Sequence, residues 1–282
     1  MAPPRVRLVA LDIDGTLLRS DRTISSRTRE SINRARAEGV RVVLVTGRRH
    51  PSARRVALAL GGVVPLVLHN GALVVEDGRV LRSRPLSRAA AGRAIAAGRA
   101  AGAEPVLHCG AKGEGWLLVD AAARRSGIVG SYLERAGPEV RVVPDLAAAV
   151  EMEDPIQVMF GGTVEETAPL LFSLEAALGA DVRIERTVYP SSGVVLLDVL
   201  HPAAGKAEAL GFLQERWDIP AASTLAIGDN WNDREMIESA GLGFVMANAD
   251  PGLLALGLPV LPANDEDGVA RAIEEHVLGP GR

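Results

Sequence analysis

The feature that most constrains this chain is a rhythm. Short aliphatic runs, each closing on glycine or polar residues, alternate with stretches of helical patterning, beginning at "RVRLVAL" (5–11). Parallel strands need long crossovers, usually helices, and a strand covered on both faces reads as a continuous apolar run. The pattern therefore predicts an α/β fold with a Rossmann-like parallel sheet. "SSRTRESINRARAEG" (25–39) reads as a helix with serine near its start and Gly39 as its stop, and "VRVVLV" (40–45) as the second strand. "PSARRVALALGG" (51–62) is a helix opened by proline, and "VPLVLHNG" (64–71) is the third strand.

The rhythm breaks at "ALVVEDGRVLRS" (72–83), a hairpin turning on Asp77 and Gly78. The alanine-rich "SRAAAGRAIAAGRAAG" (87–102) suits a helix in spite of its glycines. Strands "EPVLH", "GWLLVD", "IQVMF" and "VRIER" then alternate with helices, among them "TVEETAPLLFSLEAALG" (163–179), with a threonine cap and an acidic first turn. The first rhythm resumes with strand "GVVLLDV", helix "GKAEALGFLQERW", strand "STLAIGDN", helix "DREMIESAG", strand "LGFVMA" and helix "DGVARAIEEHV". We expect a discontinuous core, 1–84 plus 191–282, with a second α/β domain, 85–190, inserted in it.

In open α/β sheets ligands bind beyond the carboxyl ends of the strands. Four polar clusters fall at such ends: Asp12-Ile13-Asp14-Gly15-Thr16, Thr46-Gly47-Arg48, Gly205-Lys206 and Gly228-Asp229-Asn230-Trp231-Asn232-Asp233. Singly, each also suits a turn, a helix cap or a solvated first helical turn. Together they set several carboxylates, a lysine and a threonine along one sheet edge, which chemistry explains better than punctuation.

Composition narrows that chemistry. A formal net charge of -4 supplies no cationic field for nucleic acid or an anionic membrane. No apolar stretch approaches transmembrane length without charge or glycine, and no long apolar run precedes the first aspartate, so a soluble, unprocessed, cytoplasmic protein is expected. The single cysteine, Cys109, excludes an intramolecular disulfide and reads as a buried, inert thiol. Histidines 50, 69, 108, 201 and 276 lack metal-ligand spacing and receive no role. Only Lys112 and Lys206 are lysines among 31 basic residues, so a compact ammonium at the third cluster stands out.

The four clusters, in this order, resemble the four motifs of haloacid dehalogenase-type phosphohydrolases, "DIDGTL" and "GDNWND" being the specific ones. The insertion between the second and third motifs resembles the Cof-type subfamily with the larger α/β cap, which puts a cap at about 85–190. Ala207 follows Lys206 where many relatives carry glycine, a departure that touches the helix start more than the chemistry. The resemblance implies that Asp229 is a side-chain magnesium ligand, that Asp14 ligates through its backbone carbonyl, and that Asp233 is a nearby carboxylate holding waters or Lys206. Asn232 is placed at metal water or phosphate, and Arg48 and Asn70 match positions near the family's site, at the substrate.

Physical argument points the same way. Neighbouring carboxylates stay ionised cheaply only around a cation, and oxygen donors without cysteine or histidine suit Mg²⁺; the resemblance makes Asp12, Asp14 and Asp229 the expected metal residues. Asp12 is the expected nucleophile of an aspartyl-phosphate intermediate, and Asp14 the acid and base. Thr46, Gly47 and Lys206 are expected to bind the transferring phosphoryl group. The expected activity is a Mg²⁺-dependent phosphatase of a small phosphorylated metabolite such as a sugar phosphate. A phosphomutase and a catalytically silent sugar-phosphate sensor stand as alternatives, and no oligomeric state is implied. The cap is expected to set specificity, with Lys112, His108 and residues around Tyr189 as candidates.

Overall fold

Leu8–Leu11, aliphatic and wholly buried, form β1 at the centre of an eight-stranded sheet. The computed structural model describes residues 5–62, 64–110, 115–121, 127–152, 155–189 and 192–279. Lys112 lies outside them. Successive strands are β2 (Arg41–Val45), β3 (Leu66–Leu68), β4 (Leu73–Glu76), β5 (Arg79–Ser83), β6 (Val106–Cys109) and β7 (Leu117–Asp120). They continue as β8 (Val140–Val143), β9 (Pro155–Gly162), β10 (Arg183–Tyr189), β11 (Val194–Leu200), β12 (Thr224–Gly228), β13 (Leu242–Met246) and β14 (Val260–Leu261).

The large sheet has the order β14-β13-β12-β1-β2-β3-β4-β5, and it is parallel from β14 through β3. Alternate residues of β1 go to opposite faces, as the strand period demands. Val9 and Leu11 join Ile32 and Ile273 on one side, while Leu8 and Ala10 join Leu210, Leu213 and Met236 on the other. Helices cover both faces, and this explains the uninterrupted apolar runs. Leu11 is level with Ile227 of β12 and with Leu44 of β2, so the polar segments after these three strands leave the sheet at one edge.

The helix Ser26–Ala37 is capped by Ser25, whose side chain accepts from Thr28 N, and the turn between β4 and β5 has Asp77 and Gly78 at positive φ. Both were legible from residue type alone.

The chain divides into two compact units, 1–81 with 205–282, and 82–204. The second unit holds a six-stranded sheet of order β10-β11-β9-β6-β7-β8, antiparallel except between β7 and β8. Helices Arg88–Ala100 and Val164–Leu178 bury one apolar cluster with it, and Gly127–Ala136 another. Within the first of these helices Gly98 has a packing reason: a Cβ there would lie 2.1 Å from the Phe160 ring. Thr163 and Glu166 close a reciprocal cap on the second.

One expectation is corrected. The strand at 193–199 read as the return to the core, yet β11 pairs along its length with β10 and β9, inside the second unit's sheet. An apolar run marks a buried strand but not which sheet buries it.

Candidate active site

Asp12 follows β1 directly, and its N–H continues the parallel ladder by donating to Ile227 O at 3.0 Å. Ile13 turns into the apolar core, fully buried, while the half-buried Asp14 lies on the chain beyond it. Gly15 then turns the backbone at φ +79°, and a Cβ there would stand 2.2 Å from Asp229 Oδ2. Only glycine allows so close an approach in this conformation. Thr16 Oγ1 donates to Asp229 Oδ1 at 2.8 Å.

At the end of β12, Asp229 leads into the short turn Trp231–Asp233. Asp233 Oδ2 accepts from the N–H groups of Asp229 and Asn230, both at 3.1 Å, which folds its carboxylate inward. Lys206, the first residue of the helix Lys206–Trp217, donates to Asp233 Oδ1 at 2.6 Å and to Asp12 Oδ1 at 2.7 Å. Asp12, Asp229 and Asp233 each offer a carboxylate oxygen, all within 4.8 Å of one another and all buried.

The electrostatics of this cluster are unbalanced. Burial pushes the Asp12 carboxyl up to about 8, with the charges of Asp233 and Asp14 adding to it and Lys206 opposing it. Burial also raises Asp229 well above the carboxylate range, reinforced by Asp12 and Asp233 and resisted by the Thr16 hydrogen bond and Lys206. Burial works to lower Lys206, but Asp12 and Asp233 more than offset it and raise the ammonium above its ordinary value. Three buried carboxylates thus share one ammonium, an arrangement that a bound cation would relieve. The donors are all oxygen, which fits a hard divalent ion.

A second group of bonds surrounds this one. Arg48, past the end of β2, donates from Nε to Asp14 Oδ2 and from Nη2 to Asp14 Oδ1, both at 2.6 Å. Its backbone N–H donates to Thr46 Oγ1 at 3.1 Å, and Thr46 O accepts from Asn70 N at 3.1 Å. Asn70, buried and left-handed at φ 51°, accepts from Asn232 Nδ2 at 3.0 Å. Gly47 lies against Asn70, whose Oδ1 is 3.0 Å from the place a Cβ would take.

The structure therefore brings Asp12, Lys206, Asp229 and Asp233 into one cluster. The Asp14 side chain engages Arg48, and Asn70 braces Asn232. Thr16 was given no role from sequence, although its hydroxyl, two residues past Asp14, was the available signal. Trp231 is partly exposed, with the Arg234 guanidinium 5.3 Å from its ring. His108 is buried and stacks on Tyr132 in the second unit.

Among the described residues no helix is long and apolar enough to cross a membrane. A family model described as haloacid dehalogenase-like hydrolase matches residues 9–273. The chain is 29% identical over 290 residues to the 5-amino-6-(5-phospho-D-ribitylamino)uracil phosphatase YwtE of Bacillus subtilis, covering 97% of this chain and 99% of that protein. It is 29% identical over 251 residues to the HMP-PP phosphatase of Citrobacter koseri, covering 88% and 87%. A solved haloacid dehalogenase-like hydrolase from Bacteroides thetaiotaomicron matches with a TM-score of 0.77 at 25% identity, covering 95% of this chain and 98% of that one. The chain belongs to the haloacid dehalogenase-like hydrolase family.

Proposed function

We propose that this protein is a Mg²⁺-dependent phosphatase of small phosphorylated metabolites, such as sugar phosphates, acting through an aspartyl-phosphate on Asp12 in the cytoplasm. The observation that carries the reading is Asp12 at the end of the central strand, hydrogen-bonded to Lys206 and within 4.8 Å of Asp229 and Asp233. The two curated relatives, both phosphatases by name, support it.

In this reading the Asp12 carboxylate attacks phosphorus, and the bond from phosphorus to the ester oxygen breaks. The ester oxygen takes the bonding pair and a proton from Asp14. Asp14 then takes a proton from water as that water attacks the phosphoenzyme, releasing phosphate and restoring Asp12. The Thr46 hydroxyl, the Gly47 amide and Lys206 hold the phosphoryl oxygens, whose charge spreads in the transition state. Asp12, Asp229 and the backbone carbonyl of Asp14 would hold Mg²⁺, with Asp233 and Asn232 supporting its waters. When bound, the ion supplies charge neutralisation for the phosphoryl group and the carboxylates. The inserted unit is read as the cap that sets substrate choice, with His108 and the residues near Tyr189 as candidates.

The test is phosphate release from a panel of small phosphate esters, with Mg²⁺ and with EDTA, for the native chain and Asp12→Asn. Release that needs Mg²⁺ and vanishes in the variant is expected. Turnover surviving in Asp12→Asn overturns the nucleophile, and no release from any ester shifts the reading to a phosphomutase or a sensor.

A further inference from the structure

Arg48 and Asp14 come from different strand ends, 34 residues apart, and meet through both carboxylate oxygens. Such a fork fixes the plane of a carboxylate as well as its position, which a single hydrogen bond does not. The guanidinium is itself anchored: Nη1 donates to Ser52 Oγ at 3.3 Å, on the helix His50–Ala59, and the Arg48 backbone is tied to Thr46 Oγ1. The orientation of Asp14 is thereby coupled to the loop that presents Thr46 and Gly47. Arg48 is half-buried with Asp14, at side-chain exposures of 22% and 35%, so solvent does not dissolve the pair as it would on an open surface.

We propose that Arg48 is a positioning residue that acts through Asp14, holding its carboxyl in the direction of the leaving oxygen rather than binding substrate. The proposal rests on the acid role given to Asp14 above. An acid free to swing about its side-chain bonds delivers its proton less often, and small losses of alignment cost rate steeply. Arg48 transfers nothing itself. Protonated Asp14 keeps one arm of the fork on its bare oxygen; as its proton passes to the ester oxygen and the phosphorus–oxygen bond breaks, the carboxylate left behind accepts the second arm.

The consequence is selective. An ester whose leaving group departs as a stable anion needs no proton, whereas an alkyl ester does. The experiment compares kcat/KM for p-nitrophenyl phosphate and for an alkyl phosphate found to be turned over, in the native chain, Arg48→Ala, Arg48→Lys and Asp14→Asn. Arg48→Ala is expected to lower the alkyl value at least about tenfold more than the aryl value, the same sense as Asp14→Asn but smaller. Arg48→Lys, which has no fork, is expected to resemble Arg48→Ala, and millimolar guanidinium to restore part of the alkyl activity of Arg48→Ala.

Equal losses on both esters, with KM raised, would overturn the proposal and make Arg48 a phosphate ligand. If Asp14→Asn itself fails to discriminate, the acid role falls and takes the proposal with it. If Asp14→Asn discriminates and the Arg48 variants do not, positioning alone is refuted. Should the Arg48 variants fail to fold, Ser52→Ala loosens the same guanidinium from outside the site and is expected to discriminate in the same sense, more weakly; equal effects on the two esters there refute positioning.

Discussion

Lys206 donates to Asp12 Oδ1 at 2.7 Å from a side chain that is only 2% exposed. The same ammonium also binds Asp233, so one cation is the common partner of two buried carboxylates. Removing one member of a buried charge cluster leaves the others uncompensated, at a cost of about 3–5 kcal/mol.

Lys206→Ala is therefore expected to lower thermal stability markedly and, under the proposed mechanism, to reduce turnover by at least about a hundredfold through loss of a charge positioned beside Asp12. Thermal unfolding and steady-state kinetics on the same preparation check both effects. A variant with native stability would show that the ammonium does not hold the carboxylates together.

Asp12 and Asp229 are raised in the folded, metal-free chain, Asp12 to about 8, above an unfolded value of about 3.9. A carboxyl with a raised folded value binds more protons when folded, so its stabilising contribution is complete below about pH 4 and is lost as pH rises through about 8. Cation binding displaces those protons and becomes easier over the same range. The increase in melting temperature produced by Mg²⁺ is expected to grow from pH 6 to pH 8. An increase that is the same at both would remove these carboxylates from the ion's site.

Gly15→Ala combines two penalties. The left-handed backbone costs a side chain about 1–2 kcal/mol, and the new methyl would sit 2.2 Å from Asp229 Oδ2. Gly39 at φ +83° carries the first penalty without the second, because nothing lies within 4 Å of its Cβ position. Gly15→Ala is expected to raise the Mg²⁺ concentration for half-maximal activity, while Gly39→Ala leaves it unchanged. A Mg²⁺ titration of the two variants decides the matter.

Asn70 holds a buried left-handed conformation and accepts from Asn232. Asn70→Ala loses the hydrogen bond and keeps the backbone strain, whereas Asn70→Gly loses the bond but relaxes the strain. Denaturant unfolding is expected to find Asn70→Gly the more stable of the two by about 1 kcal/mol. The reverse order would show that strain at this position is not what the asparagine manages.

The central strands and their helices were legible because a strand buried on both faces has to be apolar throughout, and Leu8–Leu11 and Arg41–Val45 are nearly so. The same reasoning failed for β11, whose composition suits either sheet. It passed over β8, whose middle residues are exposed, and β14, which is two residues long. At the site, Asp12, Asp229 and Asp233 could be read as a group because β1 and β12 are neighbours whose ends leave the sheet at one edge, whereas Lys206 follows β11 of the other sheet and was legible only through its motif. The fork between Arg48 and Asp14 and the brace between Asn70 and Asn232 could not, because side-chain reach across loops leaves no periodic trace.

The bonds joining Asp12, Thr16, Lys206, Asp229 and Asp233 run entirely among residues 1–81 and 205–282, although 123 positions, 82–204, interrupt them in the chain. The buried cluster and the inserted unit are thus entered in separate stretches of one gene. Drift in the interrupting stretch replaces no partner in these bonds, so a lineage built this way can vary 82–204 while the cluster of carboxylates and ammonium stays constant.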